Sequence, residues 1–277
     1  MFADLHMHST YSDGTDTPLE LCRLAKKHDV RVISITDHDS VGGQKALLNQ
    51  QIPRSVEVIA GIEISTEVNH KMIHILGYYI DMFDTGLEQF IETISAEKTE
   101  TTRLNFENAC STNVFTYEWE RVLELNPGQP RISGVHVAKA MEIDGYEVPG
   151  MKLWDMFRKY FFPANENYIS VQAIDAFDAI SIIKTIGGIP IIAHPKYFDC
   201  DDILFDLIQH GAQGIEVYHP THTNEDTAKY LQIANDKKLC VTGGSDWHGR
   251  NSLHGRTFAM QGLAHENYPI LKLRNTH

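Results

Sequence analysis

Residues 30–39 read VRVISITDHD, a β-branched apolar run that ends in three ionisable side chains. The repeated Val and Ile are typical of a buried β-strand, which we expect over residues 30–36. Asp37, His38 and Asp39 follow at the carboxyl end of that strand. In α/β barrels and doubly wound sheets, binding and catalytic side chains collect at this end. The stretch therefore predicts an α/β fold with a polar site at one edge of its strands.

The segments on either side continue the alternation of strands and helices. Before the strand, Thr17, Pro18 and Glu20 form the pattern of a capping box with proline at the first helical position, which predicts a helix. Further strands are predicted at residues 56–65, 73–80, 189–193, 214–218 and 240–243, and further helices from Asp175 to about Ile186 and at residues 201–210 and 224–237. This order predicts a parallel sheet, either open or closed into a barrel.

The middle of the chain has a different pattern. Residues 84–162 contain few β-branched runs and many helix formers, with turn signals at residues 126–128 (NPG) and 148–150 (VPG). We therefore expect a discontinuous main domain, residues 1–83 and 163–277, interrupted by a mostly helical insertion at residues 84–162.

Composition limits the classes of partner. The 277 residues are 42% hydrophobic and 22% charged, which is an ordinary globular balance. With 24 Lys and Arg against 37 Asp and Glu, the formal net charge is −13, so the overall field does not attract duplex DNA or an anionic membrane. The four cysteines are widely spaced and the first residues lack the features of a secretory signal, so we expect free thiols and a cytoplasmic location. The oligomeric state stays open.

Nine ionisable side chains recur at or near the carboxyl ends of the predicted strands. His6 and His8 are two residues apart and point to the same face of a short strand, and Asp246 and His248 repeat this spacing. Six imidazoles and three carboxylates are too many for one four-coordinate zinc ion, and they suit two or three ions of Mn, Zn or Fe. The predicted metal ligands are His6, His8, Asp13, His38, Glu63, His74, His194, Asp246 and His248.

Six segments, taken in order over residues 4–250, resemble the motifs of the polymerase and histidinol phosphatase (PHP) superfamily: HMHSTYSDG, TDHD, GIEIS, HIL, AHP and GSDWHG. The resemblance implies a distorted seven-stranded (β/α) barrel with a metal cluster at the carboxyl ends of its strands. GIEVYHPTH, VTGGSDWHG and the helical insertion resemble the stand-alone phosphoesterases, which include nucleoside 3′,5′-bisphosphate phosphatases and 5′-to-3′ exoribonucleases. The implied activity is metal-dependent hydrolysis of a phosphomonoester of a small nucleotide or of the 5′ end of short RNA.

The resemblance also implies how the ligands divide among ions. It implies His6, His8, Glu63 and Asp246 for a first ion, Asp13, His38 and His194 for a second, and His74 and His248, bridged by Glu63, for a third.

Two departures from the family pattern concern substrate recognition. Relatives carry Arg-x-His at the start of a helix in the insertion, whereas residues 134–136 of this chain read GVH. Arg131 could replace the missing arginine, with His136 beside it. Relatives often carry Gly-Arg-Tyr after AHP, whereas this chain has Lys196 and no arginine there; lysine holds phosphate only as a point charge. We expect Arg131, His136 and Lys196 to bind substrate.

Two residues are candidates for catalysis. His222, in HPTH, could hold phosphate or protonate the leaving group, and Asp37 could assist the neighbouring imidazole. His219 and Arg250 are weaker candidates for the same site. The remaining histidines are expected at the surface or at helix ends: His28, His70, His210, His254, His265 and His277.

Three other functions stay open at this point. A phosphatase for a small metabolite such as histidinol phosphate would use the same cluster. A metal-loaded binding module would bind a ligand without turnover. An amidohydrolase acting on a C–N bond is a further alternative, although no barrel lysine at a ligand position suggests it.

Overall fold

The computed structural model describes residues 2–163, 168–171, 174–250 and 256–264. Their strands form two sheets. The first is parallel, in the order β1-β2-β3, and the second has five strands in the order β4-β5-β6-β7-β8. The strands are β1 Ala3–Asp4, β2 Val32–Ile33, β3 Glu57–Val58, β4 Gly61–Val68, β5 Lys71–Tyr78, β6 Ile189–Ile192, β7 Gly214–Tyr218 and β8 Cys240–Gly243. The fold is thus mixed α/β, as predicted.

The second sheet departs from the predicted all-parallel arrangement. β4 pairs antiparallel with β5, and β5 pairs antiparallel with β6, while β6, β7 and β8 are parallel. Only Asn69 and His70 separate β4 from β5, and their φ angles are 51° and 59°. Two residues are too few for a parallel crossover, and positive φ at both suits a tight hairpin turn. The hairpin was not predicted because the turn lacks glycine.

The predicted strand at residues 56–65 is divided in two. β3 pairs with β2 in the first sheet, whereas β4 pairs with β5 in the second. The chain changes partner between Val58 and Gly61, and this change interrupts the strand. The predicted strand at residues 30–36 is shortened to Val32–Ile33, although its extension still donates and accepts backbone hydrogen bonds.

Backbone hydrogen bonds join the two sheets at both ends of the strand order. Beyond β2, the N–H of Asp39 donates to the carbonyl of Glu63 on β4, at 2.9 Å. Beyond β1, the N–H of His8 donates to the carbonyl of Trp247, which follows β8, at 2.8 Å. These contacts bring the carboxyl ends of β1, β2, β6 and β8 to the same region as the β4–β5 hairpin.

The helices are α1 Pro18–Lys27, α2 Gly42–Leu47, α3 Thr85–Ser111, α4 Trp119–Leu125, α5 Gly134–Ile143, α6 Leu153–Phe161, α7 Ala176–Thr185, α8 Asp201–His210 and α9 Asn224–Lys237. The capping box at Thr17 and the predicted helices α7, α8 and α9 are confirmed. α3 to α6 occupy the stretch that was predicted to be helical. None of the described helices is both long and apolar enough to cross a membrane.

Separate apolar clusters stabilise the sheets and the middle helices. Ile62, Ile75 and Ile183 belong to a large cluster between the second sheet and its helices. Met141 and Met156 belong to a different cluster, built from α3 to α6. Burial of apolar side chains is the main favourable term in folding, so the middle helices have a core of their own.

Candidate metal centre

Glu63 on β4 is fully buried at the centre of a group of imidazoles. Its Oε2 lies 3.1 Å from Nε2 of His6, 3.2 Å from Nε2 of His8 and 3.1 Å from Nδ1 of His38. His6 and His8 follow β1, and His38 follows β2. One carboxylate oxygen therefore gathers imidazoles from two neighbouring strands of the first sheet.

The other oxygen of Glu63 faces the second sheet. Its Oε1 lies 2.8 Å from Nδ1 of His74 and 3.0 Å from Nε2 of His194. His74 pairs with Ser65 in the β4–β5 ladder, so it shares a face with Glu63 on the diagonal. His194 follows β6, the next strand. Adjacent strands thus place both histidines beside this oxygen.

A second carboxylate, Asp13, lies on the loop after β1. Its Oδ1 is 3.4 Å from Nε2 of His248, and its Oδ2 is 3.9 Å from Nε2 of His38. Ligand atoms of His8, Asp13, His38 and His248 lie within 4.8 Å of one another.

This grouping differs from the implied division of ligands. His194 was expected beside Asp13 and His38, and His248 beside His74. The structure exchanges the two, because His248 follows β8, whose chain runs beside the β1 loop, whereas His194 follows β6, the neighbour of β5.

Asp246, which follows β8, is the third carboxylate of the cluster. Its Oδ1 lies 3.3 Å from Nε2 of His8 and 3.5 Å from Nε2 of His6. Its Oδ2 lies 3.3 Å from Nε2 of His219 and 3.2 Å from a guanidinium nitrogen of Arg256. All nine predicted ligands are therefore brought together around Glu63, Asp13 and Asp246.

Three residues at this centre were missed or underrated. Glu216 on β7 is fully buried; its Oε1 lies 2.9 Å from Nδ1 of His6, and its Oε2 accepts the N–H of His194 at 2.9 Å. It fixes the orientation of His6, as a carboxylate behind a metal-binding histidine does. The sequence did contain a signal for Glu216: it is an acidic residue inside the apolar run GIEVY, and a buried charge is costly unless it has a partner. His219, a weaker candidate, touches Asp246 directly, and Arg256 was not considered.

The carboxylates of the cluster are held in the ionised form. Burial alone would raise the pKa values of Asp13, Glu63 and Asp246, but the surrounding imidazoles outweigh burial and hold all three well below their ordinary range. Burial lowers the pKa of His38 and, to about 4, that of His219, which favours neutral imidazoles that can bind a cation.

The central histidines carry protons when no cation is present. Burial would lower the pKa of His8, but the adjacent carboxylates of Asp246 and Glu63 raise it to about 10. A cation must displace such protons, so we expect its affinity to increase with pH.

The donor set fits divalent metal ions. Nε2 of His6 and Nε2 of His8 lie 3.1 Å and 3.2 Å from Oε2 of Glu63, but these buried atoms do not meet in hydrogen-bond geometry and have no other hydrogen-bond partner among the described residues. Buried polar atoms normally have a partner, and unpaired ones are costly. Nitrogen and carboxylate oxygen ligands without cysteine suit Zn, Mn or Fe. The cluster can therefore bind metal ions.

The cluster lies on the wall of a cavity of about 700 Å³. Asp13, His38 and Glu63 line it, together with side chains of the middle helices. Among the described residues, the cationic side chains that line this cavity are Lys98, Arg131, Arg158 and Arg256. They supply the local positive charge that a chain of net charge −13 needs in order to hold a phosphate compound.

The PHP domain model matches residues 4–173, which is more than half of the chain. The chain belongs to the PHP family. It is 29% identical over 252 residues to a phosphoribosyl 1,2-cyclic phosphate 1,2-diphosphodiesterase of Eggerthella lenta, covering 90% of this chain and 95% of that one. It is 30% identical over 253 residues to a 3′,5′-nucleoside bisphosphate phosphatase of Chromobacterium violaceum, covering 88% and 86%.

A solved structure supports the same assignment. The chain superposes on a protein assigned as a metal-dependent phosphoesterase from Bifidobacterium adolescentis with a TM-score of 0.85 and 26% identity, covering 99% of this chain and 96% of that one. This PHP protein is a metal-dependent phosphoric ester hydrolase.

Arg131 lines the cavity of this PHP protein but is already paired. A guanidinium nitrogen donates to Asp39, which is fully buried, and also to Oγ of Ser65 at 3.1 Å. Its Nε is buried and has no hydrogen-bond partner among the described residues. Arg131 thus contributes positive charge to the cavity wall while it remains paired with Asp39.

Lys196 and His136 are not among the described residues that line the cavity, so their role in substrate binding stays a prediction. Nζ of Lys196 lies 3.4 Å from Asp226 on α9 and 3.6 Å from Asp199. Nδ1 of His136 accepts the N–H of Ser133, and its Nε2 donates to the carbonyl of Ser12. Burial lowers the pKa of His136 to about 4, so this capping imidazole stays neutral and has no free nitrogen.

Replacing Lys196 with Ala is therefore expected to leave kcat/KM for a phosphate ester within about twofold of the native value. The side chain is partly exposed and its ion pairs are with Asp226 on α9 and with Asp199, so its removal changes neither the cluster nor the cavity. Steady-state kinetics on purified protein measure this. A loss of tenfold or more would show that Lys196 contacts the substrate.

The two predicted catalytic residues also lie off the cavity wall. Asp37 accepts hydrogen bonds from the N–H and Oγ of Ser9 and from Oγ of Ser12, each at 2.7 Å. It holds the loop that carries Asp13, which is a positioning role. Nδ1 of His222 donates to the carbonyl of Val217 at 2.8 Å, and its ring centroid lies 5.5 Å from that of His219.

The remaining residues considered in the sequence are exposed or lie outside the described residues. Arg250 is exposed. His28, His70 and His210 are exposed, as predicted. His254, His265 and His277 lie outside the described residues.

Proposed function

We propose that this PHP protein hydrolyses the phosphomonoester of a small nucleotide, such as a nucleoside 3′,5′-bisphosphate, or of the 5′ end of short RNA. One observation carries the proposal: both oxygens of Glu63 contact imidazoles, five in all, on the wall of a cavity that also contains cationic side chains. The activity of the Chromobacterium relative supports the choice of substrate.

The cluster is proposed to hold two or three divalent ions of Mn, Zn or Fe. Following the observed distances, the first group is His6, His8, Glu63 and Asp246, the second is Asp13, His38 and His248, and the third is His74, His194 and Glu63. Glu63 would then bridge, because its two oxygens face different groups.

Bound ions of this kind supply an activated water and offset charge on phosphoryl oxygens. The chain's own residues position the ester. Arg256 and Arg131 line the cavity, and the Nε of each is buried without a hydrogen-bond partner in the described part of the chain. Guanidinium groups bind phosphate through charge-assisted hydrogen bonds. His219, whose Nε2 lies 3.3 Å from Oδ2 of Asp246, is proposed to position that carboxylate in the cluster.

The finer predictions on architecture are part of this proposal. The hydrogen bonds that join β2 to β4 and β1 to β8 support one distorted barrel, in the sense implied by the family resemblance. The separate core of α3 to α6 supports a division into residues 1–83 and 163–277 as the catalytic part and residues 84–162 as a cap. A cytoplasmic location is also proposed.

A phosphoribosyl cyclic phosphate is the second candidate substrate. The Eggerthella relative, named for that activity, is 29% identical and its match covers 95% of its length. Such a substrate carries no base, whereas a nucleotide does, so binding experiments that vary the base can distinguish the two candidate substrates. Histidinol phosphate and binding without turnover remain alternatives for the same cluster.

Phosphate release from a panel of esters tests the proposal. The panel contains adenosine 3′,5′-bisphosphate, a short 5′-phosphorylated RNA, phosphoribosyl 1,2-cyclic phosphate and histidinol phosphate, each with added Mn²⁺. We expect fastest release from the bisphosphate, and none from Asp246→Asn. Preferred release from histidinol phosphate or the cyclic phosphate, or none from any ester, would overturn the nucleotide proposal.

A further inference from the structure

The cavity has an aromatic wall as well as a metal cluster. Four aromatic side chains at the end of the insertion line it: Trp154, Phe157, Phe161 and Phe162. The first three are spaced by three and four residues on α6, so they project from one face of that helix. We call these four residues the aromatic wall.

The three rings on α6 are nearly parallel, whereas the ring of Phe162 meets that of Phe157 edge-on at 85°. Trp154 and Phe157 have ring centroids 5.0 Å apart and an interplanar angle of 22°, and Phe157 and Phe161 are 6.2 Å apart at 17°. The guanidinium of Arg158 lies 5.2 Å from the centroid of Trp154. Stacked rings with a cation beside them are the arrangement on which proteins stack the bases of single-stranded nucleic acids.

The wall depends on a glycine at the start of α5. Gly134 also lines the cavity, and a Cβ placed there would lie 2.5 Å from Cβ of Phe161 and 2.7 Å from Cε2 of Phe157. These distances exclude a side chain at 134 unless α6 moves. The resemblance to PHP phosphoesterases places an arginine at this position, so this chain has aromatic rings where a phosphate-binding cation was expected.

We propose that the aromatic wall binds the planar ring of the substrate, namely a nucleobase, while its ester phosphate lies at the metal cluster. This inference rests on the proposed function and makes it more specific, because it favours a nucleoside phosphate over a phosphoribosyl ester without a base. Charge agrees with this placement: Arg158 provides a cation at the wall, and Arg131 and Arg256 lie in the same cavity for phosphate.

Calorimetry on the metal-loaded protein tests the wall without requiring turnover. The probes are adenosine 5′-monophosphate and ribose 5-phosphate, which differ by the base. The native protein should bind the nucleotide at least about tenfold more tightly, since stacking on aromatic side chains contributes strongly to base binding. Trp154→Leu should reduce this ratio to below about threefold, and Trp154→Phe should preserve most of it because it keeps a flat ring.

Trp119→Leu is the matched control. Trp119 packs against Phe106 in the core of the insertion, with ring centroids 5.4 Å apart, and does not line the cavity. It should leave the ratio unchanged. A native ratio near one, or an unchanged ratio in Trp154→Leu, would overturn the aromatic wall.

The two proposals fail separately. Base preference in calorimetry without phosphate release from any ester would support the wall and overturn the hydrolysis of nucleotides. Phosphate release from the bisphosphate without base preference in calorimetry would support the hydrolysis of nucleotides and overturn the aromatic wall as a base-binding site.

Discussion

Replacing Glu63 with Gln is expected to lower kcat/KM for phosphate ester hydrolysis by about 10²- to 10³-fold, the size of effect associated with removing one electrostatic group from an active site. The substitution keeps the shape of the side chain and removes its charge. Its oxygens contact five imidazoles, which outweigh the effect of burial and keep the carboxylate ionised. The loss should therefore appear together with a lower content of bound metal.

Glu57→Gln is the control for this prediction. Glu57 is exposed on β3, the strand before β4, and the same chemical change there should have little effect on either readout. Circular dichroism confirms that both variants fold. Activity of Glu63→Gln within tenfold of the native protein, at native metal content, would contradict the proposed bridging role.

Replacing Arg131 with Met is expected to lower the free energy of unfolding by about 3–5 kcal/mol. Asp39 is fully buried and its Oδ2 accepts from Arg131, so the substitution leaves a buried carboxylate without its cation. Urea denaturation measures the change. The double variant Arg131→Met with Asp39→Asn should recover much of the loss, because the unpaired charge is then absent.

Arg121→Met provides the comparison at the surface. Arg121 pairs with Asp144 at 2.7 Å, but its side chain is 42% exposed. Exposed ion pairs contribute up to about 1 kcal/mol, so this variant should be only slightly less stable. Equal losses in the Arg121 and Arg131 variants would show that burial of the Arg131–Asp39 pair is not what makes it important.

The cluster was predictable because seven of its nine residues follow a strand and the other two, Glu63 and His74, lie on strands, and the strands could be read from β-branched runs. The way in which these residues group around the three carboxylates was not predictable. His194 and His248 both follow strands, and the order of strands decides which carboxylate each one approaches. That order depended on a hairpin whose turn, Asn69-His70, carries no glycine signal.

The substrate-side residues were harder to predict for a related reason. Lys196 is adjacent to a predicted ligand, yet Asp226, thirty residues later, draws its side chain to α9. His136 is adjacent to the cavity, yet Ser133 and Ser12 use both its nitrogens. Sequence patterns show which side chains are near a site, whereas long-range partners decide which of them face it.

The metal content of the purified protein tests the central claim most directly. Protein prepared without chelator is analysed for Mn, Fe and Zn per chain, then stripped, and reloaded while phosphate release is followed. We predict two or three ions per chain, loss of activity on stripping, and recovery on reloading. Full activity in metal-free protein, or no binding even after Mn²⁺ is added, would contradict the account.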